Sequence, residues 1–174
     1  MKRIPEYRHT AYRSPVGTIH LLAGERGLVA LSLAEKWDDF EKRYRRRYQG
    51  SWVEVNPDAD NNLRTAVHAL DGYFHGGVPL PNDFPLDPVG TPFQRNVWNQ
   101  LRKVPHGKTV TYAQVAEKIG SPRAARAVGG ACGANPIPLF IPCHRVIGAD
   151  GNLCGFGGGG VSVKRKLLAL EGIK

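Results

Sequence analysis

Of the three cysteines in the chain, Cys132, Cys143 and Cys154, only one stands among residues that could make it reactive. Cys143 lies in the string Pro142-Cys143-His144-Arg145-Val146, reached by an apolar run from Ile137 to Ile141. A thiol bracketed by an imidazole and a guanidinium sits in an electropositive setting, which favours the thiolate, the nucleophilic form. Cys132, in an Ala/Gly context, and Cys154, between Leu153 and Gly155, have no adjacent base and read as small hydrophobes. Zinc is a poor reading, because the sequence has no Cys-x-x-Cys and no paired Cys/His spacing. A protease-type pair is weak as well: adjacent residues project in different directions, so His144 needs a bridging water to take a proton from Cys143.

The segments upstream of this string read as helices. Thr91-Pro92 is an N-cap followed by proline at the first helical position, and Phe93, Val97, Trp98 and Leu101 form an apolar stripe. That helix ends before Pro105-His106-Gly107. Thr111-Tyr112-Ala113-Gln114 is a capping box, with Val115, Ala116 and Ile119 as the buried face and Gly120 as the stop. Ser121 and Pro122 then serve as N-cap and first residue of a second helix, Arg123 to about Gly133. Two short helices across a tight turn in a basic half-chain fit a helix-turn-helix; an ordinary helical hairpin shares the pattern. The second helix is unusually smooth, with Ala124, Ala125, Ala127, Gly129, Gly130, Ala131 and Gly133. Each glycine costs about 1 kcal/mol against alanine, so something must approach this backbone closely, either a DNA groove or a neighbouring helix. Arg126 is the long side chain best placed to reach outward, with Arg123 nearer the turn.

The first half is built differently. Tyr7–Tyr12, Gly17–Ala23 and Leu28–Leu33 read as strands of an antiparallel meander, Asp38–Tyr48 as a helix and Trp52–Val55 as an edge strand. Asn61–Phe74 is helical by the spacing of Leu63, Val67, Leu70 and Phe74, with its start marked by Asn56-Pro57-Asp58. Five prolines from Pro79 through Pro92 exclude a helix interior or central strand there. The expected organisation is an N-terminal α/β domain over 1–78, a Pro-rich connection over 79–90 and a C-terminal domain over 91–174.

The formal charge of +9 is not shared between these halves. Residues 1–89 carry 12 Lys/Arg and 12 Asp/Glu, whereas residues 90–174 carry 12 Lys/Arg against Glu117, Asp150 and Glu171 alone. A polyanion partner for the second half follows from that asymmetry. The run Lys42-Arg43-Tyr44-Arg45-Arg46-Arg47 is preceded by Glu35, Asp38, Asp39 and Glu41, and reads as a solvated helix face, with nucleic-acid contact as the lesser alternative. A chain of 174 residues with 41% hydrophobic and 22% charged residues is globular, and its apolar runs fall short of the ~20 residues of a membrane span. Three cysteines and no apolar leader segment predict a reducing, cytoplasmic setting, or a nuclear one in a eukaryote.

The string Pro142–Val146, preceded by Asn135-Pro136 and by Arg126-Ala127-Val128-Gly129 and followed by Lys164, Leu167, Leu168, Glu171 and Gly172, resembles the O6-alkylguanine-DNA alkyltransferase family. The match is dense over residues 91–172. The resemblance implies a small RNase H-like N-terminal α/β domain before a helix-turn-helix (winged-helix) catalytic domain. It also implies a monomer that acts on double-stranded DNA through the minor groove with little regard to sequence. By the same resemblance Cys143 accepts an alkyl group from O6 of an extruded guanine and keeps it as a thioether. His144 acts as its base through water, Glu171 orients His144, and Asn135 is the hinge. Tyr112 crowds the target phosphate and hydrogen-bonds the flipped base, and Arg126 fills the gap left in the stack. Arg123, Ala125 and Gly129 complete the DNA-facing set, and Val146, Phe156 and Gly157 the alkyl pocket. No cofactor is implied. Some relatives carry a metal in the N-terminal domain, but no cysteine precedes Cys132 here, so no zinc is expected. Two departures stand out: Phe156 replaces the family's usual Tyr, and the glycine run leading to Lys164 is one residue longer. A non-catalytic DNA sensor would lack the cysteine, and a thiol hydrolase would turn over; stoichiometry separates the three.

Overall fold

A computed structural model of the protein describes residues 4–173. The chain forms two compact units, one running to Val89 and one starting at Gly90. In the first, β1 (Glu6–Ser14), β2 (Gly17–Gly24) and β3 (Gly27–Leu33) make the antiparallel meander that the sequence predicts. β4 (Ser51–Glu54) joins the far side of β1 in parallel, giving the order β3-β2-β1-β4. Parallel pairing requires a crossover connection, supplied here by the segment containing α1 (Trp37–Tyr44). β3 is buried along its whole length, and α1 covers the sheet with Phe40 and Tyr44.

The helix expected to reach Tyr48 stops at Tyr44. Beyond it Tyr48 turns inward, and its hydroxyl donates to the Val29 carbonyl at 2.7 Å. α2 (Asn61–Gly76) is capped by Asp60, whose carboxylate accepts from the Leu63 amide. Asn56, read as the start of this helix, instead caps a separate one-turn 3-10 helix over Pro57–Ala59. Part of the Pro-rich stretch pairs with the open edge of β3: the Leu28 amide donates to the Pro85 carbonyl at 3.1 Å, and Asp87 donates back to Leu28 at 2.8 Å. Gly27 permits this approach. Its φ is +144°, and a Cβ there would stand 2.3 Å from the Pro85 oxygen.

The second unit contains α3 (Pro92–Leu101), β5 (Val110–Thr111), α4 (Tyr112–Lys118), α5 (Ala125–Gly133), β6 (Val146–Ile147) and α6 (Gly160–Leu170). The capping box of Thr111 and Gln114 is formed as expected, and Thr91 with Gln94 makes a second one. Trp98 is buried between helices, its indole N–H donating to the Ala131 carbonyl of α5 at 2.9 Å. α5 begins two residues later than the sequence suggests. Ser121 accepts from the Ala124 amide in a turn rather than capping the helix, and Ala124 precedes α5 with no side-chain cap. The whole is the mixed α/β architecture anticipated, a sheet domain followed by a helical domain. Among the described residues no helix is long and apolar enough to cross a membrane.

Candidate active site

The polypeptide tightens sharply at the reactive string. Pro142, with φ −78° and ψ 63°, has the inverse γ-turn conformation, and the Cys143 amide donates across it to the Ile141 carbonyl at 2.7 Å. Cys143–Arg145 then form a single 3-10 turn that leads into β6, which pairs with β5 through Val110 and Val146. Upstream, Leu139 holds φ at +76°, a strained value for a β-substituted residue, tolerated where the surrounding packing over-determines it.

Asn135 ties the end of α5 to this turn. Its Nδ2 donates to the Ile141 carbonyl at 2.8 Å and to Cys143 Sγ at 3.0 Å, while its Oδ1 accepts from the Ile137 amide. Cys143 is buried, and burial pushes its thiol up to about 11, against the lowering effects of Asn135 and of the Lys164 charge. The resting residue is therefore a thiol that needs a base. His144, fully buried, is held below its ordinary value by desolvation, with Glu171 opposing, so it is neutral near pH 7. Its Nε2 lies 2.7 Å from Glu171 Oε1. The carboxylate fixes the proton on Nε2, which leaves Nδ1, buried and without a partner among the described residues, as the free lone pair.

Arg145 does not serve the thiol as the sequence suggested. Its guanidinium is spent on Glu171, with Nε to Oε2 at 2.8 Å and Nη2 to Oε1 at 2.9 Å, and Nη1 on the Val104 carbonyl at 2.7 Å. Burial alone would raise Glu171, but the hydrogen bonds from His144 and Arg145 outweigh it and hold the carboxyl well below the usual range. The Gly107 amide donates to the same carboxylate at 3.1 Å. The cation that does act on the thiol is Lys164 of α6. It is 1% exposed, and its Nζ donates to the carbonyls of Val146 at 2.6 Å and Cys154 at 3.3 Å. The family resemblance includes this lysine but attaches no role to it; its apolar neighbours Val163, Leu167 and Leu168 mark it as an inward-facing position.

Tyr112 opens α4 half-buried, and burial pushes its hydroxyl up to about 12, with the three thiols adding to the effect. It lies beside α5: a Cβ on Gly129 would stand 3.7 Å from its ring. Gly130 and Gly133 have open space where a Cβ would go, so no neighbouring helix fills the smooth face they offer. Arg123 and Arg126 are exposed and Ala125 is partly so. Phe156 is buried, edge-on to the His144 ring at 6.5 Å, and Gly157 sits against the carbonyl of Gly133. The Val146 side chain is fully buried. Gly159 and Gly160 have φ of +101° and +82°, and Gly160 donates to the Phe156 carbonyl at 2.9 Å, so the glycine run is a tight lead into α6.

The sequence matches the family model of the 6-O-methylguanine DNA methyltransferase DNA-binding domain over residues 92–173, and that of the accompanying ribonuclease-like domain over residues 7–88. A methylated-DNA–protein-cysteine methyltransferase of Methanosarcina acetivorans is 41% identical over 165 residues, 94% of this chain and 97% of its own. The chain belongs to this family. A second member, from Haemophilus influenzae, is 39% identical across 95% of this chain and 86% of its own. Among solved structures, Mycobacterium tuberculosis OGT in complex with DNA superposes with a TM-score of 0.77 at 40% identity, covering 95% of this chain and 92% of that one. Both halves of the methyltransferase architecture are therefore present, and the sequence expectation of an alkyltransferase fold is borne out.

Proposed function

We propose that this methyltransferase repairs O6-alkylguanine in DNA by moving the alkyl group onto Cys143. The observation that carries this is the buried thiol beside a neutral histidine whose Nε2–H is locked on Glu171 and whose Nδ1 is free. His144 Nδ1 takes the Cys143 proton through a water. The sulfur then attacks the alkyl carbon, the new C–S bond replaces the C–O6 bond, and the electron pair passes into the guanine ring system. Tyr112, kept protonated, donates to the departing base. Asn135 and Lys164 support the developing thiolate, one by a hydrogen bond and one by charge.

O6 is out of reach of this buried sulfur in a stacked duplex, so the nucleotide must be extruded. The smooth face of α5, with Ala125 and Gly129, suits a close, sequence-tolerant approach to the minor groove, with Arg126 entering the stack and Arg123 on the backbone. Val146, Phe156 and Gly157 would wall the alkyl pocket. The protein acts as a monomer in the compartment that holds the cell's DNA, and needs no cofactor. A duplex carrying labelled O6-methylguanine tests this reading. One methyl group per chain on the Cys143 peptide is the expected result; sustained turnover, or label on Cys132, overturns it.

A further inference from the structure

Alkyl transfer makes no use of the run Lys42-Arg43-Tyr44-Arg45-Arg46-Arg47 in the first unit. With the run included the unit carries 12 cations and 12 anions through residue 89, so outside it seven cations face twelve anions, and five cations in six positions are a local concentration. The structure divides them into two groups. Arg43 pairs with Glu35 at 2.7 Å, and Arg45 pairs with Glu41 while lying 4.5 Å over the Trp52 ring. Lys42, Arg46 and Arg47 are exposed, and among the described residues no carboxylate pairs with them.

The backbone holds these cations in a fixed arrangement. The amides of Arg45, Arg47 and Tyr48 continue the helical bonding past the end of α1, to Glu41, Tyr44 and Tyr44. Lys42 and Arg46, and likewise Arg43 and Arg47, are thus one turn apart and stand side by side at the C-terminal end of α1. Buried Tyr44 and Tyr48 pin the turn on both sides, so the three cations project from a fixed ridge. No large apolar side chain is exposed between Ala34 and Gly50, whereas a lipid-binding surface combines cations with apolar residues.

We propose that Lys42, Arg46 and Arg47 form a second contact to the phosphate backbone of DNA, apart from the helices of the alkyl-transfer domain. The inference rests on the DNA-repair reading above. A contact tethered by the chain to another DNA-binding domain gains from effective concentration, so a weak, sequence-independent grip is enough to matter.

The test measures binding of the full chain to an undamaged duplex as a function of salt, for the unsubstituted protein and for Lys42→Gln/Arg46→Gln/Arg47→Gln. Each lost phosphate contact flattens the log–log slope by about 0.9, so between about 50 and 200 mM salt the variant should lose roughly 40-fold less affinity than the parent. The charge-matched control Arg13→Gln/Lys36→Gln/Arg64→Gln, also exposed, should keep the parent slope. Equal slopes for parent and ridge variant overturn the proposal, as does an equal shift in both triple variants. Loss of binding to anionic phospholipid vesicles with an unchanged DNA slope would reassign the ridge to membranes and overturn it too. A parent protein with no salt-dependent DNA binding would instead fail the DNA-repair reading itself.

Discussion

Glu171 is the residue on which the site's chemistry and its stability meet. Its carboxylate receives His144, the forked guanidinium of Arg145 and the Gly107 amide, all in the interior. Breaking a buried ion pair from one side leaves the other charge stranded, at a cost of about 3–5 kcal/mol. Glu171→Gln should therefore lower the stability of the second unit by that order and slow transfer, because the His144 tautomer is no longer fixed. Denaturant titration beside single-turnover kinetics checks both. Glu171→Gln with Arg145→Met should regain much of the stability but not the rate; full recovery of rate would show that Glu171 does not act through His144. The sequence made Cys143 and His144 legible through the motif, since adjacency and residue type are visible in a string, whereas Glu171 was reached only through the family resemblance. It could not show that Arg145 is spent on Glu171, or that a lysine 21 positions downstream is buried with its charge acting on the thiol, because the 3-10 turn and the register of α6 decide both.

At the scale of elements, α5 raises the sharpest question, since its glycines cost helix stability without serving the protein's own packing. Gly130 meets no neighbouring atom where a Cβ would stand. Gly130→Leu should raise or preserve stability by up to about 1 kcal/mol, through helix propensity alone. Reaction with free O6-benzylguanine should be unchanged, while repair in a duplex falls tenfold or more. Unaltered duplex repair would mean that this face touches no DNA. Arg126→Ala should separate the same two substrates, slowing the duplex reaction far more than the free-base reaction because only the former includes base extrusion. Equal losses would reject the finger role. The Thr111–Gln114 capping box and the glycine stops were readable at this scale because each is a local arrangement of a few residues, although the second box, at Thr91 and Gln94, was read only as an N-cap. The start of α5 was not: Ser121-Pro122 has the composition of a cap, but the chain uses it as a turn. The parallel attachment of β4 was also hidden, since pairing partners are chosen by tertiary packing.

For the whole molecule, the division of charge and the strand-rich start made two units visible, but not the pairing of the Pro-rich stretch with β3, which depends on one glycine. Buried and half-buried histidines give the molecule a common pH response. His144 in the second unit, and His9 and His20 in the first, are all held below their ordinary values by desolvation. As pH falls below about 6.5 the unfolded chain takes up protons at these positions before the native one does, so stability declines from that point down to the native values. Glu171 adds a second step of the same sign. Its native value is depressed, so its contribution is present above the unfolded value near pH ~4.3 and is lost as pH falls toward the native one. Urea midpoints should therefore drop between pH 8 and pH 5, before ordinary carboxylates titrate, in both units. Trp98 reports the second unit, and Trp37 and Trp52 the first. His9→Gln/His20→Gln should flatten the histidine step in the first unit alone, leaving that of the second in place. Constant midpoints from pH 8 to pH 5 would show that these imidazoles keep their protons as readily in the fold as in water.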